Sequence, residues 1–212
     1  MKTIIKFTLL IVMSMLTIST HAQKPSTKHY LSISHEVSDY NSWKVVFDKF
    51  NIDREEAGII DLFVKKNINN TNSITVFSKI TDLKKAQIFM SSPTLKEAMK
   101  NAGVTSPPII VFYKSANEYD LINTSSLITT ITHSVKDYST WKNVYESAEQ
   151  MRKQEGIIDH VVLKSLIDEN VITILGSSTS ADSFNKFMAS PDLKTAMGKA
   201  GVTSKPEVKI IL

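Results

Sequence analysis

The chain has no cysteine among its 212 residues, two tryptophans, six glycines and six prolines. Each shortage excludes something. Without cysteine the fold rests on no disulfide, and thiol catalysis is ruled out. No glycine-rich phosphate loop occurs. Histidine is scarce too: after residue 22 it stands only at positions 29, 35, 133 and 160, with no metal-ligand spacing. No Ser-His-Asp arrangement and no nucleophile elbow is present. A pocket that works with no cofactor, neither metal nor flavin, is compatible with these shortages. An excess of one charge is also missing.

The first residues read as a targeting segment. Lys2 and Lys6 are followed by an apolar run, Phe7 to Ile18, and then by Ser19-Thr20-His21-Ala22. A positive start, a short apolar stretch and small residues at the end describe a secretory signal peptide, residues 1–22, cleaved after Ala22. The run is shorter than the ~20 apolar residues that a span requires. With no cysteine after it, a lipid anchor is excluded, so no membrane anchor is expected after cleavage. The expected location is periplasmic or secreted. Without Lys2 and Lys6, 23 basic residues face 21 acidic ones. That near balance, with no basic stripe, argues against nucleic acid as a partner.

The main positive feature is a repeat. Residues 29–114 and 127–212 align without a gap at an offset of 98, with 33 identities in 86 pairs. His35 falls on His133, Trp43 on Trp141, Arg54 on Arg152, Gly58 on Gly156 and Gly103 on Gly201. A unit of this length is a small domain rather than a solenoid repeat. Residues 115–126 read as a polar linker.

Within each copy the periodicities are distinct. Leu31, Ile33, His35 and Val37 alternate with polar residues, which predicts a strand with one buried face. Asp39 (Asp137) is placed to cap a helix. In that helix Trp43, Val46, Phe47 and Phe50 form an apolar stripe, and Gly58 (Gly156) closes it. Ile59–Lys66 and Ser73–Ile80 predict a hairpin around an Asn-rich turn. A helical stretch over 82–90 breaks at Ser92-Pro93, where a fresh helix begins and runs to Gly103. Residues 108–113 form the last strand. The order β-α-β-β-α-β is the ferredoxin-like split unit, an α+β fold. Each sheet leaves a face to be covered, and two fused copies are expected to pack their sheets face to face into a pseudo-dimeric, barrel-like sandwich.

The segment His35-x-Val37-x-Asp39-Tyr40-x-x-Trp43-Lys44 resembles the start of small proteins of the dimeric α/β-barrel superfamily. Ser92-Pro93-x-Leu95-Lys96-x-Ala98-Met99-x-x-Ala102-Gly103-Val104 resembles their second-helix signature. Both motifs recur in the second copy, from His133 to Lys142 and from Ser190 to Val202. The relatives are often described as similar to antibiotic biosynthesis monooxygenases (ABM-like), and their barrel is a homodimer. The resemblance implies that this chain supplies both subunits covalently and is a monomeric pseudo-dimer. Haem-degrading relatives carry an axial histidine on the second helix. Residues 82–102 and 180–200 hold none, so that ligation is not expected.

His35 and His133 are the candidate catalytic bases. Each lies on the apolar face of the first strand, where burial favours the neutral imidazole. The alternative is a structural histidine bonded to a carbonyl. Trp43 and Trp141 offer an aromatic wall for a planar ligand, or a core anchor. Tyr40 and Tyr138, three residues earlier, offer a phenol to a ligand oxygen, or stand at the surface edge. Arg54 and Arg152 would suit a carboxylate or phenolate ligand, or would pair with Asp61 and Asp159. Met90, Met99, Met188 and Met197 read as adaptable core filling. The copies also diverge: Phe63, Phe77, Phe112 and Tyr113 face Val161, Leu175, Ile210 and Ile211, and His160 replaces Leu62.

The resemblance implies an exported protein like the cofactor-independent monooxygenases, with a small apolar or aromatic molecule as its partner. The competing reading is a non-catalytic binding or stress-associated envelope module.

Overall fold

A computed structural model describes residues 27–118 and 127–212. The expected signal peptide and residues 119–126 of the expected linker lie outside the described residues. Each copy follows the expected order, with both helical regions split. The first comprises β1 (His29–Glu36), α1 (Tyr40–Lys49), α2 (Asn51–Glu56), β2 (Ile59–Asn67), β3 (Asn70–Ile80), α3 (Leu83–Met90), α4 (Pro93–Asn101) and β4 (Ile109–Glu118). The second comprises β5 (Leu127–Ser134), α5 (Tyr138–Ser147), α6 (Glu149–Gln154), β6 (Ile157–Ser165), β7 (Val171–Ser178), α7 (Ala181–Met188), α8 (Pro191–Lys199) and β8 (Glu207–Ile211).

The caps follow the sequence chemistry. The Asp39 carboxylate accepts from the Ser42 amide at 2.7 Å, and Asp137 accepts from Thr140 at 2.7 Å. Ser92 and Ser190 cap α4 and α8, each with proline in the first turn. Gly58 has φ 73°, a left-handed conformation that residues with a Cβ adopt at a cost. Three expectations are corrected. The helix after Asp39 is not continuous but breaks at Phe50, as its counterpart does at Ala148. The Asn-rich turn is tighter than expected, because Asn70–Asn72 join β3. The last strand runs through Glu118, four residues into the segment read as linker.

The sheets do not stack as two separate layers. The eight strands close into one barrel in the order β1-β3-β2-β8-β5-β7-β6-β4, and β4 returns to β1. The two halves join edge to edge. β4 pairs with β6 from Tyr113–Ser165 to Glu118–Val161, and β2 meets β8 at Asn67–Ile211. Closure removes the exposed strand edges that an open sheet would leave.

Two kinds of core result. Between the first half's sheet and helices lie Leu31, Ile33, Val37, Trp43, Ile59, Ile74, Val76 and Ala86. The second half has Trp141, Tyr145, Ile172 and Ile174, with a separate group around Phe184 and Phe187. Inside the barrel Tyr30, Phe63, Phe77 and Tyr113 meet Ile128, Val161, Leu163, Leu175 and Ile211. The divergent pairs Phe63/Val161, Phe77/Leu175 and Tyr113/Ile211 thus share one interior. Bulk from one half packs against smaller residues from the other, as dense cores require. The polar face of β1 is not outward: Ser32 and Ser34 line a small lumen cavity with Thr75, Thr130, Thr132 and Thr173.

Candidate functional site

A chamber lies between sheet and helices in each half. In the first, β1 contributes Ile33 and His35, and α1 contributes Trp43, Val46 and Phe47. Phe89, Met90, Leu95 and Met99 of α3 and α4 complete the wall, and the cavity measures about 50 Å³. In the second, Ile131, His133, Trp141, Tyr145, Phe187, Met188, Leu193 and Met197 enclose about 60 Å³. Strand alternation aims His35 and His133 toward the helices rather than into the barrel.

His35 and His133 are each 5% exposed. Both ring nitrogens of each are buried and, among the described residues, have no hydrogen-bond partner. The structural alternative, an imidazole bonded to a carbonyl, is therefore not what is seen. Burial without a partner penalises the charged form and lowers each pKa from 6.5 to about 4. Both rings are neutral at pH 7, each with a lone pair available within an apolar wall.

The two tryptophans serve core and chamber together. Trp43 is 3% exposed, lies 5.5 Å from the His35 ring and stacks on Phe47 at 4.8 Å. Trp141 lies 5.7 Å from His133 and stacks on Tyr145 at 4.7 Å. The tyrosines are less central. Tyr40 packs on the outer side of Trp43 at 5.8 Å, with the Lys66 ammonium 3.7 Å above its ring. Tyr138 does the same with Trp141 and Lys164. Neither tyrosine lines its chamber.

Arg54 and Arg152 border the chambers but are committed to protein groups. Arg54 Nε donates to Asp61 at 2.8 Å, and Nη1 donates to the Phe47 carbonyl at 2.6 Å. Its guanidinium sits 3.7 Å over the Phe47 ring. Arg152 repeats this with Asp159 at 2.9 Å, the Tyr145 carbonyl at 2.6 Å and the Tyr145 ring at 3.7 Å. Each arginine thus adds a second donor to a carbonyl that already accepts from the amide three residues on, Phe50 on Phe47 and Ala148 on Tyr145, and the internal pairs with Asp61 and Asp159 are the ones observed. Ser78 donates to the second oxygen of Asp61 at 2.7 Å. Sequence reading missed Ser78, although it sits across from Asp61 in the β2–β3 hairpin. In the second copy Gly176 stands at that position, and Asp159 Oδ1 is buried with no hydrogen-bond partner among the described residues. Among the described residues no cluster of three or more histidines and carboxylates is arranged to hold a metal.

An eight-stranded closed barrel of two ferredoxin-like halves, each with a histidine chamber under its helices, defines the class of protein. Comparison with protein-family profiles and with curated protein sequences gives no match. Solved structures do match. One, described as an anthrone oxidase-like protein, has TM-score 0.61 at 10% identity, covering 87% of this chain and 90% of that chain. A monooxygenase-like protein from Listeria innocua has TM-score 0.51 at 10% identity, covering 88% of this chain and 95% of that one. A ferredoxin-fold protein from Listeria monocytogenes 4b F2365, described as uncharacterized and related to antibiotic biosynthesis monooxygenases, has TM-score 0.51 at 9% identity over 87% and 94%. The likeness confirms the barrel fold and its presence in single chains of similar length.

Proposed function

We propose that this protein is exported and handles a small aromatic or polyketide-like molecule, using His35 and His133 as proton acceptors in an oxygenation that needs no bound metal or flavin. The observation that carries this reading is the pair of neutral, partnerless imidazoles facing apolar chambers. Such a ring, unlike a structural histidine, has its lone pair free for a ligand. The neighbours described as monooxygenase-like and anthrone oxidase-like support the choice of chemistry.

In this reading the imidazole takes a proton from a CH₂ group made acidic by flanking aryl and carbonyl groups. Dioxygen then converts that carbon to a carbonyl, with its second oxygen leaving as water. A pKa of about 4 makes the ring a weak base in the empty chamber, a deficit of about 3 kcal/mol relative to an ordinary histidine. An imidazolium and a substrate anion 4 Å apart attract by about 4 kcal/mol at an effective dielectric of 20. Contact with the anion therefore offsets the lost basicity, so the ring holds a proton more readily beside the substrate anion than without it. Trp43 and Trp141 supply flat apolar walls.

The chamber volumes favour a second reading. At about 50 and 60 Å³ both fall well below the ~300 Å³ of ordinary ligand pockets, which suits a non-catalytic envelope module. Oxygen uptake with a hydroxylated anthrone separates the two. The enzyme reading predicts turnover that falls at least about 100-fold in the His35→Ala/His133→Ala variant. Equal uptake by that variant sinks the assigned role, and no uptake by the wild type favours the module. Fractionation of cells producing a C-terminally tagged chain tests export, with a cytoplasmic product refuting it.

A further inference from the structure

The first half has a larger cavity outside the His35 chamber. It measures about 360 Å³, within the range of small-molecule sites. Met90, Leu95 and Met99 line both this cavity and the chamber, so three flexible side chains form a shared partition. Methionine and leucine here leave no polar barrier, and unbranched methionine changes shape at little cost. The far rim carries Lys96 and Lys100 of α4. Both are exposed, and among the described residues neither ammonium has a carboxylate within ion-pair distance. The second copy keeps one of these charges as Lys194, but Gly198 replaces Lys100.

An apolar chamber with a partnerless base, a movable wall and a cationic rim select for one shape of molecule. We infer that the first half binds an amphipathic anion. Its carboxylate rests on Lys96 and Lys100, and its aromatic or acyl body displaces the Met90–Leu95–Met99 partition to reach His35. This rests on the proposed function and adds the substrate's charge and its preference for the first half. The small chamber volume follows as the resting state of a closed partition.

The test uses 2-naphthoate and its neutral counterpart 2-naphthalenemethanol with the full chain. Calorimetry gives affinity, and imidazole NMR signals assigned with His35→Gln report the chamber. The expected result is naphthoate binding about fivefold tighter at low salt, with the preference lost near 0.5 M salt. Lys96→Met/Lys100→Met abolishes the preference and leaves alcohol binding intact, while Lys194→Met changes nothing. The His35 signals move with both probes. Equal affinity for the two probes, or an unchanged preference in the double lysine variant, overturns the anionic class while moving His35 signals still support the chamber. Binding that leaves the His35 signals in place overturns the chamber reading and the inference together, as does no binding of either probe.

Discussion

At the scale of single residues, the histidines set a pH dependence. Their pKa is about 4 in the fold and about 6.5 in the unfolded chain. Between those values the unfolded state binds more protons, so stability falls as pH drops from about 6.5 to about 4 and is unaffected above that window. Each histidine contributes about 3 kcal/mol to this loss. Urea unfolding at pH 7.5 and pH 4 should show a smaller loss in His35→Phe/His133→Phe than in the wild type. Equal losses would mean the rings titrate normally. Arg54 and Asp61 make a different prediction. Their side chains are 7% and 19% exposed, and removing one partner leaves a buried charge. Arg54→Ala should cost about 3–5 kcal/mol, and Ser78→Ala about 1–3 kcal/mol through the unpaired carboxylate oxygen, both read from the denaturation midpoint.

At the scale of elements, helix breaks and glycines position the chambers. Gly58 links α2 to β2, and a Cβ there would meet the Asp82 amide nitrogen at 2.8 Å. At Gly201, also left-handed, the nearest atom would be the Lys136 Cβ at 3.6 Å. Gly201→Ala should cost about 1 kcal/mol for backbone conformation alone, and Gly58→Ala clearly more. Equal thermal shifts would refute the contact argument. The caps, the proline-started helices and the succession of strands and helices along each copy were legible, because each depends on residues close in sequence, whereas the edge-to-edge joining of β4 to β6 and β2 to β8 was not. Nor was the break at Phe50. It contains neither glycine nor proline, and beside it Arg54 reaches back to the Phe47 carbonyl, a contact between side chain and backbone that periodicity does not encode. The alternation of β1 located His35 on the helix side. It gave no sign that Ser32 and Ser34 face a barrel lumen, since polar residues opposite an apolar face ordinarily meet water.

At the scale of the whole molecule, the differences between the copies acquire a cause. A homodimeric barrel would bring identical residues together at its axis. Fusion frees the halves to diverge, so Phe63, Phe77 and Tyr113 pack with Val161, Leu175 and Ile211 in a single interior. These differences serve packing, whereas Lys100 against Gly198 lies at a cavity rim and concerns the ligand. The barrel has no open edge, so the full chain should elute as a monomer in sizing with light scattering, and a dimer mass would contradict the pseudo-dimer. Residues 27–118 produced alone should self-associate through the edges of β2 and β4.

The account depends most on His35 facing a space that a ligand enters. The direct measurement is a crystal structure of the full chain soaked with 2-naphthoate. The predicted result is ring density beside Trp43 within hydrogen-bond reach, about 3 Å, of a His35 ring nitrogen, with Met90 and Met99 displaced. A chamber still sealed by both methionines, with His35 contacting only water or protein, would contradict it.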